Sequence, residues 1–369
     1  MNDRRPATGF DRNMRVVITG ATGNVGTSVI EALAQDARVR SIVGLARRRP
    51  IIVPPKTAWI AADVTTADLV RIFRGADAVV HLAWMIQPSR DIETMRRANV
   101  RGSERVFRAT TDAGVPALVY ASSVGVYSPG PKDRRVDESW PTYGIPTSTY
   151  SSQKSEVERL LDAFEQDLRV VRLRKALVFK REAASEIRRL FLGPLFPASL
   201  LHPKLIRAVP RIPRLRFQAV HSKDVGQAYR LAILGDARGA FNIAAEPVID
   251  PSELARMFGA WQVPVPARVV RALVSAAWHL RMQPSEAGWL DLALETPLLD
   301  TTRARRALGW SPRHSSRDAL LEILEGMRLG SSAATPPLSA STSASFQVRR
   351  VPDRNRPALK GARRKSASG

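Results

Sequence analysis

The segment MRVVITGATGNVG, residues 14–26, decides how the rest of the chain is read. Its first six residues are mostly apolar and β-branched, the composition of a short strand buried on both faces. They run directly into Gly20-Ala-Thr-Gly23-Asn-Val-Gly26, and residues 27–35 beyond have helical character. Strand, glycine turn and helix in that order make a phosphate-binding loop. The first glycine permits the tight turn, the second lets backbone approach a pyrophosphate, and the third lets the helix pack closely on the strand. The helix N-terminus then faces the anion with free N–H groups. Three glycines at this spacing arise by chance about 0.1 times in a chain of this length, taking glycine as ~7% of residues. Gly20, Thr22, Gly23, Asn24, Val25 and Gly26 are therefore the candidate dinucleotide-binding loop.

Outward from the loop, a second strand over residues 39–45 ends in Ala46-Arg47-Arg48-Arg49. An NAD-specific site needs a carboxylate for the ribose hydroxyls about 20 residues past the glycines. No Asp or Glu occurs between residues 39 and 60. The guanidinium fork of Arg47 and Arg48 suits a 2′-phosphate instead. The expected cofactor is NADP, with NAD as the alternative if the arginines are only a basic turn.

Further strands are predicted at 57–61, 78–82 and 117–121, with a helix over 67–74 and a long helical stretch over 90–113. The strand 117–121 delivers Ser122-Ser123 at its C-terminal end, where open α/β sheets place their ligands. A loop over 127–145, rich in Pro and Gly, leads to a helix that begins near Thr147 and carries Tyr150-Ser-Ser-Gln-Lys154. Residues four apart on a helix share a face. An ammonium there is expected to lower the phenol from about 10 toward neutrality, giving a group that donates or accepts a proton. Alone, the spacing describes equally well an amphipathic helix with a half-buried Tyr and a solvated Lys. The chain holds 48 Arg and nine Lys, yet position 154 is a lysine.

These residues together resemble the extended short-chain dehydrogenase/reductase family, also called the NAD-dependent epimerase/dehydratase family. The likeness is carried by TGATGNVG (19–26), Asp63-Val64, HLA (81–83), Asn99, YASSVGVY (120–127) and Tyr150-x-x-x-Lys154. It continues through VHSKDVGQAY (220–229), FNIA (241–244) and RRALGWSP (305–312), and covers roughly residues 14–328. The resemblance implies Tyr150 as general acid/base and Ser123 holding the substrate carbonyl or hydroxyl. It implies Lys154 on the nicotinamide ribose, lowering the Tyr150 pKa. The glycines would meet the pyrophosphate and Asp63 the adenine, with Val64, Leu82 and Ala83 beside the cofactor. Trp84 and Met85, which follow the HLA motif, are candidate substrate-pocket residues. The resemblance also implies that VHSKDVGQAY re-enters the sheet, and that dimers form through the helices after Asn99 and Tyr150. His81 and His221 are expected to be structural. One departure matters: nucleotide-sugar members carry Arg-x-x-Asn after the Tyr/Lys helix, and here Arg174-Lys-Ala-Leu177 ends in leucine.

Composition narrows the remaining classes. There is no cysteine, which excludes disulfides, thiol nucleophiles and cysteine metal sites; no metal-ligand cluster is read either. Of the net charge of +23, residues 331–369 contribute +7 (eight basic, one acidic) and residues 180–220 another +7 (nine basic, two acidic). No zinc-knuckle or aromatic RNA-binding signature accompanies them, so nucleic acid is not an expected partner. A solvated basic surface is the plain reading, with attraction to an anionic substrate, membrane surface or nucleic acid as the alternative. No signal peptide is read in the N-terminal arm, and a cytoplasmic location is expected. The best apolar run, near residues 269–280, is cut by Arg271 and His279 and falls short of the roughly 20 residues that span a bilayer.

The expected architecture is α/β: a Rossmann-type doubly wound parallel sheet with a smaller, α-rich C-terminal substrate cap. Residues 1–13 form a flexible arm, and residues 14–175 the dinucleotide-binding domain, completed by about 217–245. Residues 176–328 are mainly cap, apolar with a basic rim over 191–217, and 329–369 a disordered basic tail. The expected function is an NADP(H)-dependent oxidoreductase that interconverts a carbonyl and a secondary alcohol on a small organic substrate. An epimerase or dehydratase with an internal hydride cycle is the second reading, and a redox-silent NADP-sensing protein the third. A sensor has no need to keep Ser123, Tyr150 and Lys154 together.

Overall fold

The structure, a computed structural model, describes residues 13–87, 90–192 and 206–340. Seven parallel strands form the central sheet: β1 (Met14–Thr19), β2 (Val39–Ala46), β3 (Thr57–Ala61), β4 (Ala78–His81), β5 (Ala117–Tyr120), β6 (Arg169–Lys175) and β7 (Gly239–Ile243). Their order is β7-β6-β5-β4-β1-β2-β3. The sheet is doubly wound, and the order reverses between β1 and β4, where such sheets leave a crevice for ligands.

Alternation along β1 explains the layers. Val16 and Ile18 face one core with α1 (Asn24–Ala34) and α4 (Ser222–Leu234); Val17 faces the other with α2 (Gly102–Asp112) and α3 (Thr149–Asp162). All three valine and isoleucine side chains are wholly buried, each contributing about 1.5–3 kcal/mol relative to exposure. A strand buried on both faces cannot show polar alternation, so its continuous apolar run is the expected signature. The stretch over 90–113 is helical as expected, with a π-helical turn at Arg97–Arg101 that carries Asn99 inward.

The rest of the chain is interwoven with the sheet and its helices. A parallel ladder of Ala208–Arg211 with Trp261–Pro264 leads into α5 (Ala267–His279) and α6 (Gly288–Glu295). Ala304, Leu308 and Trp310 then return to the core shared by β1 and α1, and the Trp310 indole donates to the Asp224 carbonyl at 2.8 Å. Next comes α7 (Ser316–Leu329).

Two expectations are corrected. The VHSKDVGQAY segment does not enter the main sheet: Ala219–His221 pairs only with Leu177–Phe179. It is the FNIA segment, in β7, that adds the edge strand beside β6. The tail also does not lose structure at residue 329. Residues 331–340 turn back as a strap, with Leu338 wholly buried against Ala183, Ala184, Ile323 and Met327. Arg189 pins it, donating to the carbonyls of Ser339 (2.9 Å) and Pro337. The remaining tail from residue 341, the arm to residue 12, and 193–205 of the expected cap lie outside the described residues.

Candidate active site

A cavity of about 670 Å³ runs along the C-terminal ends of β1, β2, β4, β5 and β6. Every candidate residue named from the sequence lines it, from the glycine loop through Arg47, Arg48 and Asp63 to Trp84, Met85, Ser123, Tyr150 and Lys154. At the reversal point the turn after β1 lies directly on the segment after β4. Gly20 has φ +68°, and a Cβ there would fall 2.6 Å from the Ala83 nitrogen. Gly26 is as constrained, since its Cβ would meet the Ala21 backbone at 2.6 Å. Helix α1 opens at Gly23 with no side-chain cap and no acid in its first turn, and Asn24, Val25 and Gly26 line the cavity. Its free N–H groups and dipole favour an anion there. Asn24 donates to the Val178 carbonyl at 2.9 Å while its Oδ1 is buried without a partner. These features fit a dinucleotide pyrophosphate.

Toward the adenosine side, Arg47 and Arg48 follow β2 exposed, with no hydrogen bond or ion pair among the described residues. Asp63 accepts from the Thr65 N–H (2.9 Å) and hydroxyl (2.7 Å), a turn that presents Val64 beside it at the cavity wall.

At the other end, β5 delivers Ser123, whose Oγ accepts from the Gly125 N–H at 3.1 Å, and the Ser123 and Tyr150 side chains flank Gly125 side by side in the cavity wall. Helix α3 starts at Thr149 behind the N-cap Ser148, two residues later than expected, so Tyr150 stands in its first turn. The Tyr150 ring packs between Trp84 (centroids 6.0 Å) and Trp289 (4.9 Å). Lys154, one turn on, is 3% exposed. Its ammonium donates to the Ala121 carbonyl at 2.7 Å and lies 3.5 Å from the Trp84 ring centroid.

The expected lowering of the Tyr150 pKa is not found. Burial pushes the phenol up, opposed only by the neighbouring Ser123 side chain. Lys154 is drawn onto the indole and the carbonyl, and its own pKa is held well below the usual lysine range, first by burial and then by Lys175. His81 faces the core, between the hydroxyls of Thr19 (2.7 Å) and Ser103 (2.9 Å). Burial, then the Lys154 charge, lowers it to about 3, so the ring is neutral. His221 stacks on His314, centroids 4.1 Å apart, beside α7.

Comparison with known proteins was made against this geometry. The model of the NAD dependent epimerase/dehydratase family matches residues 16–192. That match takes in the glycine loop, Ser123, Tyr150 and Lys154. An uncharacterized protein of Mycobacterium tuberculosis is 27% identical over 318 residues, 85% of this chain; the chain spans 30% of that relative's length. An L-arabinose 1-dehydrogenase (NAD(P)(+)) of Haloferax volcanii is 34% identical over 114 residues, 31% of this chain and 42% of that enzyme. Among solved structures, the UDP-glucose-4-epimerase of Stenotrophomonas maltophila, with bound NAD and formylated UDP-arabinopyranose, shares the fold. Its TM-score is 0.65 at 21% identity, covering 86% of this chain and 99% of that one.

Lys175 and Trp289 escaped the sequence reading, and the structure adds detail to others. Lys175 is 8% exposed and lines the cavity. Its ammonium donates to the Ser122 carbonyl at 2.6 Å and to the Tyr229 hydroxyl at 3.3 Å, and burial lowers its pKa to about 7. Asn99 clasps Met85 through both main-chain groups, at 2.7 and 2.8 Å, and lines the cavity beside it. Phe191 packs edge-on against Trp289. Leu177, at the place of the family's asparagine, lines the cavity 43% exposed with no amide to offer. Arg174 before it is spent inside the fold, paired with Glu158 at 2.6 Å.

Proposed function

We propose that this chain is an NADP(H)-dependent oxidoreductase of the extended short-chain type, interconverting a carbonyl and a secondary alcohol on a small, largely apolar substrate. Residues 14–175, completed by about 217–245, form its cofactor-binding part, and residues 176–328 mainly its substrate cap. The carrying observation is one cavity lined in a row by an uncapped helix N-terminus, two unpartnered arginines and the side chains of Ser123, Tyr150 and Lys154.

Gly20, Thr22, Gly23, Asn24, Val25 and Gly26 would hold the pyrophosphate, Arg47 and Arg48 the 2′-phosphate, and Asp63, Val64, Leu82 and Ala83 the adenosine side and its surroundings. When bound, the nicotinamide supplies or takes the hydride. Ser123 and Tyr150 hydrogen-bond the substrate oxygen, and in reduction the phenol gives up its proton to that oxygen as the carbon becomes an alcohol. Lys154, one turn along the same helix and in the same cavity, is the cation that would hold the ribose. Lys175 anchors the Ser122 carbonyl and so steadies the serine pair. Trp84, Met85, Phe191 and Trp289 give the substrate apolar and aromatic walls.

The raised phenol suits a proton donor, since Tyr150 stays protonated through neutral pH. Carbonyl reduction is therefore expected to be level through neutrality and to fall only above the ordinary phenol range. Alcohol oxidation, which needs the phenolate, should rise over that same alkaline range.

An internal hydride cycle is the second reading, favoured by the nucleotide-sugar epimerase that shares this fold; Leu177 speaks against it. The test is calorimetric titration with NADPH and NADH, followed by NADPH consumption on a carbonyl panel. Tighter NADPH binding with carbonyl-dependent turnover supports the reductase. Cofactor that co-purifies and never exchanges, with no net NADPH consumption, transfers the assignment to the epimerase.

A further inference from the structure

The outer face of the cap is inside out. Helix α5 has no buried residue. Val269, Ala272, Leu273, Ala276 and Leu280 fall at i, i+3, i+4, i+7 and i+11, which is one stripe of a helix, and all five are exposed. Leu273 is 65% and Leu280 71% exposed. The strand leading into the helix adds Trp261 at 82% and Val263 at 47%, and Met282 follows at 57%. Scattered exposed leucines need no explanation, but a contiguous apolar face does.

The opposite side of α5 is tied down, which fixes the stripe outward. Arg271 pairs with Asp291 of α6 at 2.8 Å, Gln283 donates to the Val274 carbonyl at 3.0 Å, and the Arg90 guanidinium lies 4.2 Å from the Trp278 ring centroid. Around the stripe the charge is of one sign. No Asp or Glu occurs in residues 261–285. Arg268 and Arg281 border the helix, and Arg207 and Arg211 come from the strand paired with Trp261–Pro264. All four are exposed, and none has a side-chain partner among the described residues.

We propose that this face docks the cap on an anionic lipid bilayer. Trp261, Leu273, Leu280 and Met282 enter the headgroup boundary, and the four arginines meet lipid phosphates. A second copy of the chain fits worse, because a two-fold interface would set these arginines against themselves. At 13 residues α5 is too short to span, and no described helix is long and apolar enough to cross a membrane. It therefore lies in the membrane plane. Through Arg271 and Asp291, α5 backs the helix that carries Trp289 and Leu292 into the cavity wall. The cavity stands one helix layer from the lipid.

The test is co-sedimentation of the full chain with phosphatidylcholine vesicles, with and without phosphatidylglycerol, at low and high salt. Binding should be at least about tenfold stronger with the anionic lipid and weaken as salt rises. The double change Leu273→Glu and Leu280→Glu should abolish it without moving the unfolding midpoint, since both side chains are exposed. Arg268→Gln with Arg281→Gln should lower binding to the anionic vesicles and leave the neutral ones unchanged. Equal binding to both lipids overturns the proposal. So does full binding by the Leu273/Leu280 variant, which still carries the basic residues 331–369 and would assign the attraction to them. A wild-type dimer that the same variant makes monomeric, with no vesicle binding, overturns it in favour of self-association.

Discussion

The two ends of the cavity carry the same sign of charge under opposite conditions. At the adenosine end, Arg47 and Arg48 are exposed and hold out unpartnered guanidinium forks. At the chemical end, Lys154 and Lys175 are 3% and 8% exposed, and each bonds a main-chain carbonyl, at 2.7 and 2.6 Å. An exposed fork waits for an arriving anion. A buried ammonium loses hydration, its pKa falls, and its bonds serve to fix neighbouring backbone. A net charge of +23 therefore does not describe one property of this protein; burial decides what each cation does.

Three variants test that contrast, beginning with the largest effect. Tyr150→Phe removes the proposed proton donor beside the lysine end and should lower turnover about 10²–10⁴-fold. Its cofactor dissociation constant should change little; a large rise by calorimetry would mean that the phenol belongs to binding. Arg47→Ser with Arg48→Ser should cut the preference for NADPH over NADH by about tenfold or more, the worth of one to two charge-assisted hydrogen bonds. An unchanged ratio would remove the arginines from cofactor choice. Lys175→Met should show in stability rather than affinity. With the folded pKa near 7 and an ordinary value of 10.5, the unfolded chain binds a proton over that window that the folded chain does not. Stability contributed by this group is thus gained as pH rises from about 7 and lost as it falls. The variant should flatten that slope by at most about 1.4 kcal/mol per pH unit, read from denaturant unfolding across the window.

What the sequence disclosed follows the range of the interactions. The β1 strand, the glycine loop and α1 are contiguous, so their geometry is written in adjacent residues, and Gly20 and Gly26 bear the contacts that require them. Arg47, Arg48 and the shared face of Tyr150 and Lys154 are equally local. Lys175 is not. It reaches the site because β6 lies beside β5, bridging Ser123 to Lys175 across the sheet, a non-local pairing. The signal was present, since a lysine among 48 arginines is as notable at 175 as at 154. Trp289 and Phe191 carry no motif and arrive only through packing of the cap. The phenol pKa was misjudged because helical spacing places two side chains on one face without saying that Lys154 turns toward Trp84. The strap at 331–340 looks unstructured by composition, yet Leu338 and the Arg189 contacts suffice to seat it, with Pro336 and Pro337 in the cavity wall.

The edge strand β7 comes late. Between β6, which ends at Lys175, and its neighbour β7, which begins at Gly239, the chain detours through residues 176–238, α4 among them. Trp310 closes the core from later still, and the Ser316 hydroxyl clips the carbonyls of Ala219 (2.9 Å) and Ala245 (2.8 Å). During synthesis the first six strands emerge with one sheet edge unpaired and one core face unsealed. Cofactor part and cap are thus successive stages of one cooperative unit. Limited digestion within the cap should release no stable N-terminal half, and newly made chain has to be kept from sticking through the β6 edge until β7 has emerged from the ribosome.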